Sequence, residues 1–188
     1  LSMYYYNGAY TVGVSGMNPE TTVMAYICAI DHKTGTVAKT HVINPLVTTK
    51  AKGDITPTVE VYGNYSGKEE NGTIFGDAAY TANKAIAVIK YSNFDGARSL
   101  FATMLGDNMM NYTDAEIFGY ANQYWASVST EQPYSFYLVD WDYEQTALAY
   151  AVDSNGCAGG AGRITNTPTA DNKRDIEELR TLVNELNA

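Results

Sequence analysis

The stretch Tyr134–Gly156, YSFYLVDWDYEQTALAYAVDSNG, places two apolar runs on either side of the charged segment DWDYE. Both runs are aromatic or aliphatic at consecutive positions, the pattern of strands buried on both faces. With a short polar turn between them they read as a β-hairpin. A second hairpin is expected upstream in TTVMAYICAIDHKTGTVAKTHVIN. Its first arm, Thr22 to Ile30, is apolar on both faces. In the turn DHKTG, Asp31 starts the reversal and Gly35 supplies the positive φ that closes it. The second arm runs from Thr36 to about Ile43, where Asn44-Pro45 stops it. The two hairpins, built on Val23–Ile27 and Phe136–Val139, are expected at the centre of one antiparallel sheet.

Working outward, KAIAVIKYS predicts a further strand over Lys84–Tyr91, and the opening LSMYYYNGAYTVGV a turn at Asn7-Gly8 followed by a strand through Val14. Residues 46–83 mix glycine, asparagine and charge between short runs such as TVEVY, and read as a long excursion or an edge hairpin. DGARSLFATML spaces Ala97, Leu100, Phe101, Met104 and Leu105 as one helical face. TDAEIFGYANQYWASVS opens with Thr113 and Glu116 at capping-box spacing, with an apolar face of Ile117, Tyr120, Ala121, Tyr124 and Val128. The fold class expected is α+β: a single domain over 1–166, an antiparallel sheet built on two central hairpins with flanking helices. A connector and a C-terminal amphipathic helix follow over 167–188.

That helix, RDIEELRTLVNELNA, steps its apolar residues by three and four: Ile176, Leu179, Val183 and Leu186. In heptad terms Ile176 and Val183 take a and Leu179 and Leu186 take d, which suits a parallel two-stranded coiled coil. Leu182 widens the stripe, which suits packing on a sheet equally well. The chain begins at Leu1, as a processed chain or a piece of a longer one would.

A net charge of −9 argues against binding to DNA or RNA backbones, because phosphate affinity comes from clustered Lys and Arg. Insertion into a membrane is not expected either, since no segment approaches the roughly 20 apolar residues of a span. Sixteen tyrosines stand against five phenylalanines. Tyr joins an apolar ring to a polar tip and suits half-buried sheet faces and subunit contacts.

Candidate chemistry is sparse. Cys157, within NGCAGGAGR, has the thiol and the surrounding backbone N–H groups of a nucleophile with an oxyanion hole. It would need an imidazole base, and His32 and His41 are the histidines available. Asp140, Asp142 and Glu144 alternate along DWDYE and would point to one side of a strand, where carboxylates hold Ca²⁺. The stretch lacks the ordered ligands and internal glycine of a calcium loop. Two cysteines, Cys28 and Cys157, are too few for a disulfide framework, and spacing leaves open whether they are bridged. Asn-x-Ser/Thr triplets at Asn64, Asn71 and Asn111 are expected by chance in so Asn- and Thr-rich a chain. No cofactor signature occurs.

These features together predict a non-enzymatic structural or interaction subunit of a homo-oligomeric assembly, of the virion-appendage or surface-filament type. Its partners would be further copies of itself or other assembly subunits, and its location extracellular or on a virion surface. The alternative is a small-ligand sensor domain, with Tyr124, Trp125, Tyr137 and Trp141 lining an aromatic pocket and the C-terminal helix carrying the signal. A hydrolase dependent on Cys157 is the third.

Overall fold

The segment KAIAVIKYS forms a strand, and its first five residues, Ala85–Ile89, are all buried. Burial of consecutive positions requires cover on both faces of the sheet, and the architecture supplies it. A computed structural model describes residues 20–25, 27–31, 33–37, 46–121 and 123–188. Among these residues the chain forms three antiparallel sheets and four helices. One sheet has the order β3 (Thr58–Ser66), β4 (Ala85–Ser92), β7 (Tyr134–Val139). Another has the order β6 (Ala126–Val128), β5 (Ala97–Leu105), β8 (Gln145–Asp153), β9 (Gly162–Asn166). The third is a two-stranded ribbon of β1 (Thr22–Met24) and β2 (Leu46–Thr48). The helices are α1 (Gly67–Glu70), α2 (Ala78–Thr81), α3 (Asp114–Tyr120) and α4 (Ile176–Leu186).

The two larger sheets pack face to face. Val59, Ile89 and Tyr91 from the β3-β4-β7 sheet meet Leu100, Ala102, Ala147, Ala149 and Ala151 from the other. Large residues on one face against alanines on the other let the layers interdigitate without voids. Tyr91 and Tyr137 bring their hydroxyls to 3.3 Å of each other in this layer, and burial raises the pKa of both phenols. On the outer side of the first sheet, Tyr65, Ile86 and Val88 pack under α4. On the outer side of the second, Leu148 and Leu105 pack with Ile117 and Ala121 of the α3 segment. The order of layers is therefore helix, sheet, sheet, helix.

The expected α+β class holds, but the single sheet built on two central hairpins does not. The arms of the stretch 134–156 part company: β7 pairs with β4, and β8 pairs with β5 and β9. DWDYE is thus an arch between sheets. Asp142 turns it with φ 57°, and its N–H donates to the Pro168 carbonyl at 2.8 Å. The upstream hairpin is also corrected. Its turn forms as read, with the Asp31 carboxylate accepting from Lys33 and Thr34 N–H and Gly35 at φ 67°. Its first arm, however, is not buried: β1 pairs with β2, and Met24 and Ile27 are exposed. Much of the expected second arm lies outside the described residues, as does the opening strand.

Further corrections concern local structure. DGARSLFATML is strand β5, not a helix. Leu100, Ala102 and Met104 face the inter-sheet core while Phe101 and Leu105 face outward, so both faces are apolar and the spacing mimics a helical stripe. Residues 46–83 hold the nine-residue strand β3. A bulge between Val61 and Gly63 reverses its alternation, so Val59 and Val61 point inward and Tyr65 outward. The capping box at Thr113 and Glu116 is present, but α3 ends at Tyr120 and the chain re-enters a sheet at Ala126.

α4 forms where its periodicity places it, capped by Asp175. Leu179 and Leu182 are buried on its own sheet, with Ile176, Val183 and Leu186 partly buried beside them. The stripe with coiled-coil spacing is thus used within the chain. The connector ahead of it is held by a buried amide pair, Asn64 and Asn166, which exchange hydrogen bonds at 3.0 and 2.8 Å. Asn172 accepts from the same Asn64 amide. Among the described residues no helix is long and apolar enough to cross a membrane.

Candidate functional site

Tyrosines gather around α3. Strand β5 ends at Leu105, and the chain turns through Gly106 and Asp107 before running to the helix. The Tyr120 hydroxyl donates to Asp107 at 2.6 Å, and the Tyr143 hydroxyl donates to the Gly106 carbonyl at 2.9 Å. These bonds tie two rings to one turn. Asp107 raises the Tyr120 pKa, first through that bond and then through its charge, with Tyr124 and Tyr112 close enough to add to the effect. Met110, Tyr112, Tyr120, Tyr124 and Tyr143 are each 43–53% exposed. Large side chains exposed together on one side of a domain mark a contact surface more often than scattered ones do.

Beneath this rim, on the outer face of the second large sheet, four rings interlock. Phe101 stacks on Tyr150 at 5.1 Å, and Phe118 and Trp125 meet Tyr150 edge-on at 5.1 and 4.8 Å. All four are partly exposed. Asp114, the first residue of α3, is paired with Lys52 at 2.9 Å and with Arg163. Burial pushes the Asp114 pKa up, but Lys52, the Ala161 N–H and Arg163 outweigh it and hold the carboxyl below its ordinary value.

The residues expected to line an aromatic pocket do not all converge. Tyr137 and Trp141 pack against the same group, Ala85, Ala87 and Val139, whereas Trp125 belongs to the outer ring cluster and Tyr124 stands exposed on the rim. By its spacing Tyr120 belongs to the apolar face of a helix, and nothing in the sequence marks Tyr112 or Tyr143. The excess of tyrosine was the available signal, and it carries no position.

The glycines around Cys157 have a packing role. A Cβ on Gly53 would stand 2.6 Å from the Cys157 carbonyl oxygen, and one on Gly160 would stand 2.6 Å from the Thr56 hydroxyl. The run therefore lets the segment 53–57 lie directly on the β8–β9 connection. The Cys157 N–H donates to Asp153, and both Cys28 and Cys157 are free thiols. His32 and His41 lie outside the described residues. Asp140, Asp142 and Glu144 go separate ways: Asp140 pairs with Lys84, Asp142 forms the arch, and Glu144 accepts from Asn108. Among the described residues no group of three or more acidic, His or Cys side chains is placed to hold a metal ion.

Two clefts flank α4, of about 230 and 330 Å³. No family model matches the chain, and no match to a curated protein was found.

Proposed function

We propose that the chain is a non-enzymatic interaction module that assembles with further copies of itself through the tyrosine face around α3. The observation that supports this most directly is the exposed set Met110, Tyr112, Tyr120, Tyr124 and Tyr143, two of them braced on the Gly106–Asp107 turn. Tyr pays little conformational entropy when it is held at both ends of its ring, and it tolerates both water and a dry contact. The assembly type suggested by composition, a virion or surface component, fits such a face.

The reading predicts an oligomer that is broken by Tyr112→Ser, Tyr120→Ser and Tyr124→Ser together, without loss of folding. Light scattering gives the mass and a thermal melt gives the stability. Exposed side chains contribute little to the domain's own core, so the melt is expected to shift by less than about 1 kcal/mol. A monomeric parent protein, or an oligomer untouched by the triple variant, would remove the proposal. The sensor alternative draws support from a different feature, the clefts walled by α4.

A further inference from the structure

The smaller cleft lies between α4 and the segment that follows α1, and its volume is about 230 Å³. Ile74, Ile176, Leu179 and Val183 give it apolar walls, and Glu70 and Arg180 are its charged members. Glu70 is 3% exposed, an environment in which a carboxylate ordinarily has a cation beside it. Its oxygens accept from the N–H of Gly72 at 3.0 Å and from the N–H of Ile74. Among the described residues no Lys or Arg makes an ion pair with it. Arg180 is engaged elsewhere, with the Glu177 carboxylate and the Glu69 carbonyl. Two N–H donors leave part of the carboxylate's acceptor capacity unused, and among the described residues no ion pair neutralises its charge.

We propose that this cleft binds a small molecule with an apolar body and a cationic amine head, the body along Ile74, Ile176, Leu179 and Val183 and the ammonium on Glu70. The cleft is smaller than the ~300–1,000 Å³ of pockets for drug-sized ligands, which limits the occupant to a single ring or a short alkyl chain. An ammonium satisfies the Glu70 charge with a charge-assisted hydrogen bond, and a neutral hydroxyl of the same size does not. Because α4 forms one wall, occupancy fastens the C-terminal helix to the segment after α1. The proposal stands apart from the association face, and its failure leaves that reading untouched.

The test uses the full chain with 2-phenylethylammonium and its neutral counterpart 2-phenylethanol, followed by calorimetric titration. The ammonium is expected to bind saturably at one site, and the alcohol at least about tenfold more weakly. Glu70→Gln is expected to abolish that preference. If Glu70→Gln does not fold, Val183→Phe decides, since it fills the cleft and keeps the carboxylate; loss of ammonium binding in the folded variant supports the site. No saturable binding at millimolar ammonium, equal affinity for the alcohol, a preference that survives Glu70→Gln, or undiminished binding to folded Val183→Phe would each overturn it.

Discussion

A Cβ placed on Gly159 would stand 1.7 Å from the Ile55 carbonyl oxygen, and one on Gly162 2.0 Å from that of Pro57. Backbone cannot retreat from such contacts without breaking the packing of 53–57 on the β8–β9 connection. Gly159→Ala is therefore expected to cost more than about 3 kcal/mol and to yield little soluble protein. Cys157→Ala, two residues away, is expected to melt within about 1 kcal/mol of the parent, because the hydrogen bonds found at Cys157 are made by its backbone. Similar losses in both variants would show that the thiol is structural in its own right. Asp114 gives the pH dependence at this scale. Its carboxyl is held below the ordinary 3.8 in the folded chain, so its stabilisation is complete above that value and is lost as pH falls through the lower folded one. Asp114→Asn is expected to cost about 1 kcal/mol at neutral pH, a few degrees of melting temperature, and nothing in strong acid. An unchanged deficit between pH 7 and pH 2 would contradict this account.

At the scale of elements, α4 and the β1–β2 ribbon are opposites. α4 covers Tyr65, Ile86 and Val88, and burying Leu179 and Leu182 is worth roughly 3–6 kcal/mol before side-chain entropy is subtracted. Truncation after residue 170 is expected to uncover that sheet face, lower the melting temperature by more than about 10 °C and leave the association state of any folded fraction unchanged. A truncated chain that melts like the parent but loses its oligomeric mass would return the helix to an intermolecular role. The ribbon carries its apolar residues in the open. Ile27→Asp, three residues beyond β1, is likewise expected to be tolerated, since Ile27 is 55% exposed, whereas Leu138→Asp places a charge under α4 and is expected to cost several kcal/mol. Expression yield and thermal melts of the two variants check the contrast; equal damage would place Ile27 in the core.

For the whole molecule, the decisive feature is the stacking of two antiparallel sheets between helices. Burial on four faces accounts for apolar runs without alternation in β4, β5 and β8, which a single half-exposed sheet would not need. The same stacking sets Phe101, Phe118, Trp125 and Tyr150 together on the outside. The face proposed for association, around α3, lies on that same outer side of the second sheet. If it forms the contact between copies, the Tyr112/Tyr120/Tyr124 triple serine variant separates them while circular dichroism and melting stay those of the parent.

Local signals in this chain are legible from residues: the capping box of Thr113 and Glu116, the DHKTG turn, the strand expected over 84–91 and found at 85–92, and the C-terminal amphipathic helix, found at 176–186. Each depends on interactions within a few positions, so the sequence contains the whole cause. Pairing was not legible. DWDYE has the composition of a hairpin turn, but the chain uses it as an arch, because the choice depends on whether β7 finds β4 and β8 finds β5 across long separations. The helix expected at 97–105 failed for the same reason, since a strand apolar on both faces carries no period of its own. The buried Glu70, the Asn64–Asn166 pair and the tyrosine rim were equally silent. The α4 residues across the cleft from Glu70, the Asn166 partner of Asn64 and the Gly106 partner of Tyr143 are each tens of residues away, and only the folded chain brings them together.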